Sequence, residues 1–118
     1  MTGQKIFRLA AWLCLATIAT LSLVSPSLRP VTFLPHNVEH LTIFAIAGGA
    51  MALGYPSRAT HHLISLVIFA AAIELAQSFA PGRHPRLIDF AVDSLGACAG
   101  VVAAMVITKL LRPAARQS

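Results

Sequence analysis

Six side chains carry the chemistry this sequence offers: His40, Glu74, Gln77, Arg83, Asp89 and Asp93. Four of the residues in the chain are acidic, Glu39, Glu74, Asp89 and Asp93, and each lies inside or at the rim of a long apolar run. Ionisable groups within such runs are costly in lipid, face a protein interior or a wet cavity, and mark function by default. Paired carboxylates suit cation binding, proton transfer or general acid–base work, and arginines beside them suit phosphate.

Spacing gives these groups common faces. Glu74 and Gln77 are three residues apart, and Asp89 and Asp93 are four apart, so each pair shares one side of a helix. Gly96, Gly100 and Ala104 continue the Asp89–Asp93 stripe as small residues that admit a neighbouring helix closely. Gly48, Gly49 and Ala52 offer a matching surface on an earlier run.

The elements that position these residues follow from composition. Only 11% of residues are charged, against about 25% in soluble domains, and the mean hydropathy is +0.76. Four apolar runs, approximately 8–25, 38–55, 62–79 and 87–111, are separated by Pro- and Gly-bearing junctions. The expected fold is all-α: a single domain over 1–118, an integral membrane four-helix bundle with short loops. The first run also has the outline of a signal peptide, with Ser25 and Ser27 offering a weak cleavage site, but no Ala-x-Ala follows it, and an uncleaved first span is expected.

In such a serial four-span chain the first and third connections face the same side. Glu39 and His40 open the second span, Glu74 and Gln77 close the third, and Asp89 and Asp93 open the fourth. The carboxylates therefore gather at one face of the bilayer, with Glu74 roughly 7 Å below Phe79. Lys5, Arg8, Arg58, Lys109, Arg112 and Arg116 fall on one side, and Arg29, Arg83 and Arg86 on the other. The positive-inside rule then predicts both termini in the cytoplasm, with the acidic face outside.

The net charge of +5 is spread beside the apolar runs, without a basic cluster interleaved with aromatics, so no nucleic-acid partner is expected. Cys14 and Cys98 lie mid-run and read as packing residues. His36-Asn37-Val38-Glu39-His40 matches the inverted zinc-protease motif, but a five-residue match is weak and Pro35 precedes it. No cofactor is demanded. A divalent cation on His40, Glu74, Asp89 or Asp93 is the one that the donor set admits.

The run Glu74-Leu75-Ala76-Gln77-Ser78-Phe79, then Pro81-Gly82-Arg83, then Asp89, Asp93, Gly96 and Gly100, resembles the VanZ-like family. His40, followed by Phe44 and a glycine-bearing second span, adds to the likeness, which covers about residues 36–104. Two departures stand out: Asp93 where many members have Asn, and His36-Asn37 where an Asp-Lys pair is common. The resemblance implies a compact helical protein of the bacterial cytoplasmic membrane, tied to the cell envelope and to resistance to the glycopeptide teicoplanin.

The leading expectation for function is an outer-face polar pocket that binds the headgroup of a membrane lipid or lipid-linked envelope precursor. Arg83 and Arg86 would hold phosphate, and Glu74, Gln77, Asp89 and Asp93 would contact polar atoms. The alternatives are a membrane-embedded enzyme using the carboxylates on a lipid phosphate, a transporter of protons or a small solute, and a purely structural bundle. The residues leave homo-oligomerisation open.

Overall fold

The computed structural model describes residues 3–23, 35–79 and 87–111, apart from the side chain of His36. Among the described residues four α-helices form in order: α1 Gly3–Leu23, α2 His36–Gly54, α3 Ala59–Gln77 and α4 Leu87–Leu111. A single 3-10 turn, Pro56–Arg58, joins α2 to α3. No strand occurs among the described residues.

Local chemistry accounts for the helix boundaries. Pro35 precedes α2, and its carbonyl accepts from the Glu39 N–H at 3.0 Å. Pro56 cannot continue α2 and instead fits the first position of the 3-10 turn. The α3 terminus tightens at Ser78, whose hydroxyl donates to the Leu75 carbonyl at 2.6 Å. Hydroxyls within the apolar helices bond backward: Thr17 and Thr20 each donate to the carbonyl four residues earlier at 2.8 Å.

The fourth predicted span is matched at both ends by α4, whereas α1 begins five residues before its apolar run. Hydropathy marks where the apolar run starts, but Lys5 and Arg8 are good helix formers and extend the helix. Three helical segments, Gly3–Leu23, Pro56–Gln77 and Leu87–Leu111, are long and apolar enough to cross a membrane. The second expected span, α2, is not among them. Asn37, Glu39, His40 and its glycines dilute its hydropathy, and this helix packs against all three others.

The order around the bundle is α1, α2, α4, α3. The α2–α4 interface is the most extensive, followed by α1–α2 and α3–α4. Leu41 faces Gly96 and Ala45 faces Gly100, so α2 and α4 run parallel. Small residues make this approach work. A Cβ on Gly96 would fall 2.5 Å from the Leu41 carbonyl oxygen, and one on Gly100 would collide with the Ala45 carbonyl. Van der Waals packing of this kind holds apolar helices together where both competing environments are equally oily. The buried apolar core is correspondingly rich in alanine, around Phe44, Met51 and Leu66.

Polarity is inverted relative to a protein folded in water. His40, Gln77, Asp89 and Asp93 are buried, while Ile68, Leu75 and Leu95 are each more than 60% exposed.

Candidate functional site

Two contacts show how the ends of the helices align. Arg8 and Trp12 of α1 meet Gly54 and Tyr55 at the end of α2, so these helices are antiparallel. At the other end, Gln77 of α3 reaches Ser22 of α1, and His40 of α2 reaches Asp93 of α4. The beginnings of α2 and α4 and the ends of α1 and α3 therefore lie together, and all four carboxylates belong to that end.

At its centre is a buried hydrogen-bonded pair. His40 Nδ1 lies 2.7 Å from Asp93 Oδ1, and the Asp93 side chain is 0% exposed. The distance suits a charge-assisted hydrogen bond in which the imidazole N–H donates to the carboxylate. Gly96, one turn beyond Asp93, draws the two backbones close enough for this short reach. The second carboxylate oxygen, Asp93 Oδ2, is buried and has no hydrogen-bond partner among the described residues, as is true of Oγ of the next residue, Ser94.

Asp89 lies one turn before Asp93 and is also buried. Glu39 and Glu74 are half-buried, Glu39 next to His40 and Glu74 one turn before Gln77. Gln77 is buried, and its amide nitrogen donates to the Ser22 carbonyl at 3.0 Å. That carbonyl is in the last described turn of α1. Gln77 thus ties α3 to α1 with the group that was expected to meet a ligand. Arg83 and Arg86, the expected phosphate clamps, lie outside the described residues.

Among the described residues, no group of three or more His, Cys, Asp or Glu side chains gathers as metal ligands. The zinc-protease motif depends on His36, whose side chain lies outside the described residues, while His40 is turned onto Asp93. Cys14 and Cys98 are both free thiols and half-buried.

Gly96 and Gly100 lie against Leu41 and Ala45 of α2, and Gly48, Gly49 and Ala52 line the opposing surface. Gly48 faces Ala97, Gly49 faces Gly100, and Ala52 joins Val101 and Ala104 in a small core. Sequence reasoning placed His40 and Asp93 at one end but did not pair them. The signal for the pair was the glycine stripe, which selects α2 as the partner of the Asp face.

A second polar cluster, at the opposite end, escaped sequence reasoning. Arg8 Nε donates to the Gly54 carbonyl at 2.7 Å, and its guanidinium lies 4.5 Å from the centroid of the Tyr55 ring. Trp12 Nε1 donates to the Tyr55 hydroxyl at 3.1 Å, and His62 stacks on the same ring at 4.4 Å.

Compared with known proteins, the chain matches no family model, no curated protein and no solved structure.

Proposed function

We propose that the chain is a VanZ-like multi-pass protein of the bacterial cytoplasmic membrane, with both termini inside. Its polar end binds the headgroup of a membrane lipid or lipid-linked envelope precursor. The link to the envelope and to teicoplanin resistance comes with the family resemblance. The inverted polarity supports residence in lipid, because exposed Ile68, Leu75 and Leu95 suit hydrocarbon while Asp89 and Asp93 are buried.

One observation carries the binding reading: Asp93 Oδ2, of the His40 couple, is buried with no donor among the described residues. A buried acceptor left unmet costs about 1–3 kcal/mol, more when charged. Asp93 is closed off in this structure, so a sugar-bearing headgroup would have to part the ends of α2 and α4 for its hydroxyl or amide N–H to supply the missing donor. Asp89 and Glu74 add acceptors at the same end.

The experiment is binding of a polyprenyl phosphate and of its sugar-bearing form to the purified protein in lipid nanodiscs. Wild type should prefer the sugar-bearing form, and Asp93→Ala should abolish that preference. An unchanged preference in Asp93→Ala rules the pocket out.

The geometry of the same couple favours a second, enzymatic reading. A carboxylate on Nδ1 holds an imidazole in one tautomer and orientation, as a general base requires. Hydrolysis or transfer at a lipid phosphate would then depend on His40, with Glu74 as the acid. Product release from labelled precursor, lost in both His40→Ala and Glu74→Gln, is the result that distinguishes turnover from binding.

A further inference from the structure

The end of the bundle remote from the carboxylates holds a cleft of about 440 Å³, lined by Gln4, Arg8, Tyr55, Pro56, Ser57 and Arg58. Its volume falls within the range of small-molecule sites, about 300–1,000 Å³. Two of its six lining residues are arginines, and no Asp or Glu lines it.

Arg8 is held in place from two directions. Its Nε is committed to the Gly54 carbonyl, and one face of its guanidinium rests on Tyr55. Gly54 permits this, since a Cβ there would fall 2.9 Å from Arg8 Cγ and from the Arg8 backbone nitrogen. The two terminal amino groups of Arg8 have no hydrogen-bond partner among the described residues. The result is a guanidinium whose orientation is already fixed and whose outer donors are unspent, the arrangement that binds phosphate oxygens two at a time. Arg58 also lines the cleft and is exposed, and its side chain makes no hydrogen bond or ion pair among the described residues. The first turn of α1, which contributes Gln4, contains no acidic residue to occupy its positive end.

We propose that this cleft binds the phosphate group of an anionic ligand, with the Arg8 guanidinium as its fixed fork and Arg58 as its second cation. A phospholipid headgroup and free inorganic phosphate share that chemistry. Trp12 is more than half exposed while its indole nitrogen bonds Tyr55, an amphipathic pairing that suits the headgroup layer and favours the lipid. The lipid form of the inference shares with the function proposed above only the placement of the helices in a bilayer. The His40–Asp93 pocket lies at the other end.

The test is titration of the full chain in detergent micelles with dioleoyl-phosphatidylglycerol, dioleoyl-phosphatidylcholine and inorganic phosphate, read by native mass spectrometry. Phosphatidylglycerol should bind more tightly than phosphatidylcholine, and Arg58→Gln should weaken it about fivefold. Arg8→Lys, which keeps the charge and removes the fork, should weaken it further. Helicity and Trp12 fluorescence check that each variant stays folded, and exposed Arg58 gives a variant that leaves the packing intact. Inorganic phosphate that binds with the same sensitivity to both substitutions supports the cleft and assigns it to the free ion. Equal affinity for the two lipids, or an Arg58→Gln variant that binds as wild type does, overturns the proposal. Neither lipid carries a sugar, so failure here leaves the pocket at the other end untouched.

Discussion

His40 and Asp93 are 53 residues apart in sequence and 2.7 Å apart in space, joined across two parallel helices that glycines bring into backbone contact. Each member depends on the other. Without Asp93 the imidazole loses an acceptor, and without His40 the buried carboxylate loses a donor. A double-mutant cycle of His40→Ala and Asp93→Ala, followed by unfolding in micelles, should return a coupling of about 0.6–1.7 kcal/mol. Additive effects would show that the couple contributes nothing to holding α2 against α4.

The glycines of the same interface are not equivalent. A methyl group on Gly100 would meet the Ala45 carbonyl, which is backbone and cannot rotate away. Gly100→Ala should push α2 and α4 apart and destabilise the bundle by about 1–3 kcal/mol. A methyl group on Gly49 would lie 3.5 Å from the Gly100 carbonyl oxygen, an ordinary contact. Gly49→Ala should stay within about 0.5 kcal/mol of wild type. Thermal unfolding of the pair checks both, and equal losses would contradict the close approach at Gly100.

Gln77 should behave as a tie between helices. Replacing it with Leu removes the donor to the Ser22 carbonyl while keeping the bulk. The expected loss is about 1 kcal/mol, with faster hydrogen exchange confined to the last turn of α1. Ligand binding that collapses while exchange at α1 stays unchanged would assign Gln77 to the pocket instead.

Trp12 is the chain's single tryptophan and reports on Tyr55 directly. Tyr55→Phe removes the hydroxyl that accepts from the indole but keeps the ring under Arg8, so Trp12 emission should shift with little loss of stability. Tyr55→Ala removes both contacts, and should cost about 0.5–2 kcal/mol more through the lost cation–π contact alone. Identical emission in Tyr55→Phe and wild type would argue against the indole–phenol bond.

Much of this architecture was legible in the chain itself. Four helices follow from apolar runs cut by proline and glycine, and the junction at Pro56 falls where expected. The gathering of Glu39, Glu74, Asp89 and Asp93 at one end needs only alternating helix direction, which short connections impose. The packing face of α4 is written in Gly96, Gly100 and Ala104, because only small side chains let two backbones touch.

What tertiary structure alone decided is which groups meet. Helical periodicity fixes the relative angle of side chains on one helix, but it carries no information on how that helix is rotated against another. Steric fit sets that rotation. It placed α2 beside α4 in parallel, gave Asp93 to His40, and spent the Gln77 amide on Ser22. It also brought Arg8 onto Gly54 and Tyr55, a meeting across 46 residues that no local pattern encodes.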